Sequence, residues 1–141
     1  MTTPLPPLAR RLFDASTYAV LSTVNTDGSP QSSVVWVRRQ GDDLLMSTIR
    51  GRRKTVNMAR DPRVSLCAYD PAYPLQYVEV RGTVSMVEEG GDALIEALAR
   101  AYTNKPWVHR PAEVRLVVRL TPSKVVERIT SLSPSHAGGT G

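Results

Sequence analysis

The chain has 141 residues, of which 41% are hydrophobic and 22% charged, with one cysteine, two histidines and a formal net charge of +5. That balance fits one domain with a modest core and excludes wholesale disorder, which requires a poorer apolar content. A lone thiol, Cys67, excludes intrachain disulfides and thiolate metal clusters, and no apolar run nears the roughly 20 residues of a membrane span.

Leu5 to Phe13 places Leu5, Leu8, Leu12 and Phe13 near helical spacing, with its prolines at the start, and predicts a short helix. The start has no basic region followed by an apolar stretch, so the chain is expected to be cytoplasmic, with no membrane partner. Tyr18 to Asn25 is rich in β-branched residues and runs into Asp27-Gly28, a hairpin signal. Gln31 to Arg39 is the expected returning strand, and Leu44 to Thr48 a third strand after a tight turn. Arg52 to Arg60 predicts a helix that stops at Asp61-Pro62, because the residue before proline is pushed out of the α region.

Val64 to Tyr69 predicts a strand ended by a proline-bearing loop, residues 70–74. Tyr77 to Val87 alternates, with Val78, Val80 and Val84 on one face and Glu79, Arg81 and Thr83 on the other, so one face is expected to be buried. Gly82 interrupts that pattern and marks either a bulge or a close backbone approach. Gly91 to Tyr102 carries Leu94, Ile95, Leu98 and Tyr102 as a helical stripe. Val114 to Leu120 is a further strand, and Lys124 to Ile129 extends the sheet. Residues 1–130 are expected to form one domain, and the Gly/Ser-rich segment 131–141 a loose tail. About six short strands joined mainly by hairpins, with two or three helices, predict a mainly β protein built as a small antiparallel barrel.

Six cations and one acid, Asp61, fall between Arg50 and Arg63, leaving 12 cations and 12 anions elsewhere. The whole excess charge therefore sits in one short segment, which weighs against a broad nucleic-acid track. Arg50, Arg52, Arg53 and Lys54 surround a helix start, where unpaired N–H groups already carry partial positive charge. Two readings stand at this point: an anion pocket, and a solvated basic helix paired with acids elsewhere. In the first, Ser47 and Thr48 add hydroxyl donors ahead of the helix, and Asn57 shares the face of Arg53 one turn on.

The chain lacks GxGxxG, GxxxxGK[ST], HExxH and GxSxG patterns, and His109 and His136 have no partner at ligand spacing. No metal site and no catalytic side chain are expected. A carried cofactor can supply the reactive atom, with the basic segment as its phosphate grip.

The succession YAVLSTVNTDGSPQSSVVWV, RGRRKTVNMARDPRVSLCAYD and YVEVRGTVSMV resembles the pyridoxamine 5'-phosphate oxidase-like split-barrel flavoproteins. More narrowly, it is similar to the deazaflavin-dependent branch that uses coenzyme F-420. The resemblance spans Leu8 to about Ile129, and DGSPQSSVVW and RKTVNMARDPRVSL are its most specific pieces. It implies a six-stranded antiparallel FMN-binding-type split barrel and hydride transfer between reduced F-420 and a small organic acceptor. FMN on the same fold, or a non-catalytic carrier of either cofactor, is the alternative. It also implies that Arg53 and Lys54, with Ser47 and Thr48, hold the cofactor phosphate. Gln31, Ser32, Ser33 and Val34 run along the ring, and Arg50 and Arg52 reach the acidic tail. A homodimer is implied, with sites at the interface closed by aromatics such as Trp36, Tyr77 and Trp107.

Overall fold

A computed structural model describes residues 2–130; the expected tail, with His136, lies outside the described residues. The elements run α1 (Pro7–Asp14), β1 (Ala19–Val24), β2 (Pro30–Val35), β3 (Arg38–Gln40), β4 (Asp43–Ile49), α2 (Arg53–Arg60), β5 (Arg63–Asp70), β6 (Tyr73–Val87), α3 (Gly91–Thr103) and β7 (Arg115–Arg128). The strands form one sheet in the order β2-β1-β5-β6-β7-β4-β3, with every pairing antiparallel. The fold is therefore mainly β with three helices, and its sheet has seven strands rather than six.

The connection between β2 and β3 dictates closure. These strands lie at opposite edges of the sheet, yet only Trp36 and Val37 separate them in sequence. Seven strands laid flat would put their edges roughly 29 Å apart. Two intervening residues bridge only about 10 Å. The sheet must curl until its edges meet, which gives a barrel split along the β2/β3 seam.

The seventh strand arises where the expected segment Gln31 to Arg39 breaks. The Tyr102 hydroxyl accepts from the Val37 N–H at 2.9 Å and lies 3.0 Å from the carbonyl oxygens of Val37 and Thr17, either of which takes its proton. A side chain thus replaces the sheet ladder at the turning point. Alternation in residues 31–39 carried no sign of this, because the interrupting group comes from α3.

The barrel interior collects Leu21, Val35, Val37, Leu44, Met46, Leu66, Val78, Val80, Val118 and Leu120, joined by Leu8, Leu12 and Phe13 of α1. The stripe on α3 packs outside, where Leu94 and Leu98 meet Leu45. Gly82 is both a bulge and a close approach: the register shifts beside it, and an added Cβ would lie 2.1 Å from the Thr121 carbonyl oxygen. Opposite it stands Pro122, whose missing N–H is tolerated at that irregularity, so the two predicted segments 114–120 and 124–129 fuse into β7. β6 likewise starts early, at Tyr73, after a tight connection in which the Asp70 carboxylate accepts the Ala72 N–H. No helix among the described residues is long and apolar enough to cross a membrane.

Candidate functional site

α2 begins as its sequence suggested, and its first turn has neither an acidic residue nor a side-chain cap. Arg52, in extended backbone, is the N-cap, placed by a turn at Gly51 whose φ is +94°. The leading N–H groups of the helix and the side chains of Arg52, Arg53 and Lys54 therefore share one end of the molecule.

A latch beneath this end holds the helix to β4. The Thr55 hydroxyl donates to the Ile49 carbonyl at 2.7 Å, which commits its only proton. The 2.8 Å contact between the Thr48 and Thr55 hydroxyls is then a bond donated by Thr48. Thr48 is 2% exposed, so its hydroxyl faces the latch rather than a ligand. Asn57 is likewise enclosed. Its amide donates to the Thr23 hydroxyl at 3.0 Å and to the Asn25 side-chain oxygen at 2.9 Å, and Thr23 passes its own proton to the Gln31 side-chain oxygen at 2.7 Å. Spacing put Asn57 on the face of Arg53, but the short helix turns that residue inward, where both amide protons are used. The expected ligands Thr48 and Asn57 thus become supports.

Above the latch lies an open cleft of about 330 Å³, bounded by Tyr18, Val34, Trp36, Ser47, Arg52, Lys54, Trp107 and Arg115, with Val35, Ile95 and Leu98 behind them. Lys54 crosses it and donates to the Ser33 hydroxyl at 3.3 Å. Burial, with Arg52 and Arg115 nearby, holds the Lys54 ammonium below its ordinary pKa. Burial also lowers that of Arg115, whose Nη1 donates to the Ser47 hydroxyl at 3.4 Å and whose Nε is buried without a partner among the described residues. Tyr102 stacks on Trp36 with ring centroids 5.5 Å apart, and Trp107 meets Trp36 edge-on at 6.1 Å, so the apolar wall is continuous.

Among the described residues, no carboxylate lines this cleft. Two hollows of comparable size border α3, of about 340 and 400 Å³, and contain Glu89 and Asp14 respectively. Three cations and no acid make the Lys54 cleft the one among these suited to an anion.

The expected residues divide accordingly. Ser33, Val34, Trp36, Ser47, Arg52 and Lys54 converge, and Trp107 joins them. Ser32 shares an exposed 2.9 Å hydrogen bond with the Ser22 hydroxyl on neighbouring β1, and Arg53 projects from the helix start without a polar partner among the described residues. Arg50 is drawn aside to Glu88 at 3.4 Å. Tyr77 sits between Tyr69 and Arg128 in the sheet, outside the cleft of its own chain. Sequence reasoning missed Tyr18, Tyr102 and Arg115. Alternation did turn Arg115 away from the barrel interior, but nothing local said that it would cross to Ser47.

The solved structures similar to this chain share its architecture. An F-420 reductase aligns at 29% identity with a TM-score of 0.78, covering 86% of this chain and 98% of that one. A conserved hypothetical protein from Mycobacterium tuberculosis aligns at 22% identity and TM-score 0.69, covering 92% of each chain. A pyridoxamine 5'-phosphate oxidase-related, FMN-binding protein from Nostoc punctiforme aligns at 18% and 0.66, covering 86% of this chain and 83% of that one. The sequence pattern described as pyridoxamine 5'-phosphate oxidase matches residues 5–128. With the split barrel, the acid-free cleft and that match in agreement, the chain belongs to the pyridoxamine 5'-phosphate oxidase family.

Proposed function

We propose that this protein is an F-420-dependent oxidoreductase that transfers a hydride between the reduced deazaflavin and a small, flat organic acceptor. The observation that carries the reading is the cleft where Lys54 and Arg52 meet beside an uncapped helix start, with no carboxylate among the described residues that line it. That donor set fits a phosphate: N–H groups, an ammonium and a guanidinium converge on one place. When bound, the reduced deazaflavin supplies the hydride from its ring carbon.

The chain's own residues then bind, orient and exclude water. Lys54 and Arg52 hold the phosphate, and Arg53 at the rim and Arg50 further out attract the acidic tail. Ser33 and Val34 on β2 give the ring a narrow track, and Trp36 and Trp107 give it an apolar wall. Water exclusion falls to those indoles and to a second chain. Val20 and Val34, 41% and 66% exposed, are directly paired on the outer sheet face, with Cys67 beside Val20. Val34 also lines the cleft, so a second copy seated on that face would roof the site. We take the working unit to be a homodimer for this reason.

Fluorescence titration with F-420 and with FMN, on wild type and Lys54→Ala, tests the reading. Losing a charged phosphate contact costs about 1.5–3 kcal/mol, a tenfold or greater loss of affinity. Equal F-420 affinity in the variant overturns the phosphate grip. Binding of FMN alone overturns the deazaflavin assignment and leaves a flavin site in the same cleft. Tight binding of F-420 with no turnover of the reduced form against flat conjugated acceptors makes the protein a carrier.

A further inference from the structure

Of the hollows that Arg115 lines, two share Trp107 with it. One is the cleft of about 330 Å³, and the other a hollow of about 200 Å³ bordered by Asp92, His109, Arg110 and Glu113. The approach of α3 to this point is fixed by Gly91, where an added Cβ would lie 2.1 Å from the Arg115 carbonyl oxygen. The guanidinium is held by three neighbours: the β7 backbone it rises from, the Trp107 ring, whose centroid is 4.7 Å from its central carbon, and the Ser47 hydroxyl at Nη1. What holds it is a ring and a hydroxyl rather than a carboxylate. Asp92 and Glu113 act on it from further off, offset by Arg52 and Arg110.

A half-buried guanidinium without an acid at contact distance is unfavourable unless a ligand brings the anion. Lys54 and Arg52 rise from α2 and its cap, whereas Arg115 rises from β7. Two cationic grips on different elements suit two separate anions. Arginine stacked on an aromatic is preorganised for planar carboxylate recognition, which a lysine ammonium is not.

We infer that Arg115 is a specificity-determining residue that pairs with the carboxylate of an acidic acceptor lying against Trp107, between the two hollows. The inference rests on the oxidoreductase reading above, but its test does not require turnover. trans-Cinnamate and cinnamamide are flat conjugated probes that differ in the charged group. Calorimetric titration of each, into the protein alone and into the protein saturated with F-420, reads the preference directly. Wild type is expected to bind cinnamate about tenfold more tightly than the amide in at least one of these states. Arg115→Gln, which retains a donor for Ser47, should bring the ratio to about one, and Arg115→Lys should restore part of it. The lysine variant also serves if the glutamine variant fails to fold.

A parallel F-420 titration separates the acceptor from the cofactor as the source of the anion. Arg115→Gln should leave F-420 affinity within about threefold, whereas a tenfold loss assigns Arg115 to the cofactor and overturns the inference. An equal preference for the two probes in wild type, binding of neither, or a preference that survives Arg115→Gln also overturns it. Failure of Lys54→Ala to weaken F-420 binding would instead overturn only the phosphate grip.

Discussion

Lys54 Nζ lies 3.3 Å from Ser33 Oγ, so the helix that opens with the basic cluster touches the strand that follows the first hairpin. Twenty-one residues separate the two in sequence. Their meeting brings the phosphate end and the ring track of the proposed site into one cleft.

Lys54 is held below its ordinary pKa by burial first and then by Arg52 and Arg115. For a base with a depressed folded pKa, the unfolded chain holds more protons between that value and 10.5, so stability rises with pH through this window. Below the window the cost of housing the cation is fully present. Lys54→Met is therefore expected to raise the melting temperature of the ligand-free protein at pH 7 by a few degrees while abolishing most F-420 affinity. Scanning fluorimetry with and without F-420 reads both, and a lower melting temperature in the variant would count against this account.

Asn57→Ala removes two donors from a largely buried network and leaves the Thr23 and Asn25 oxygens short of a partner. A loss of about 1–3 kcal/mol is expected, or roughly 3–10 °C in melting temperature. The folded variant should retain F-420 affinity within about threefold, since the amide does not face the cleft. A selective affinity loss at unchanged stability would make Asn57 a ligand after all.

Asp70, 3% exposed, accepts from Arg11 at 2.9 Å, from the Ala72 N–H at 3.0 Å and from Gln76 at 3.1 Å. Burial pushes its pKa up, but these donors outweigh it and hold the carboxyl below its ordinary 3.8. A depressed carboxylate contributes stability that is present above the unfolded pKa and lost as pH falls through the folded one. Asp70→Asn should cost about 1–3 kcal/mol at pH 7, and the gap from wild type should narrow below pH 4. Urea midpoints measured across that range decide it; a gap that stays constant to pH 2 is the contrary result.

Val20→Asp places a charge on the outer sheet face, beside Val34 but at a position that does not itself line the cleft. If that face is the dimer contact, light scattering should give two chains for wild type and one for the variant. F-420 affinity should fall with the lost roof. A monomeric wild type that binds F-420 at full affinity refutes the arrangement.

Residues 50–63, read alone, revealed the charge surplus, the short helix and its stop at Asp61-Pro62, because capping, proline sterics and net charge are local or additive properties. The same holds for the Asp27-Gly28 hairpin, where Gly28 has φ +86°, and for the alternation of β6. Gly82 was legible as an anomaly, and the structure shows its cause, the Thr121 carbonyl.

Tertiary structure alone decided the rest. The break at Trp36-Val37 depends on a hydroxyl that arrives from Tyr102, 65 residues on. Thr48 and Asn57 were ligand candidates by type and spacing, but packing buried them and used their protons within the fold. Arg115 looked like one outward residue of an alternating strand until pairing with β4 set it opposite Ile49, diagonal to Ser47, with its guanidinium over Trp107. Hydrogen bonds saturate and volume excludes, so which polar group remains free for a ligand depends on every element packed around it. The residue pattern of one segment therefore specifies the element and its charge, whereas only the closed barrel specifies which of its donors face a ligand.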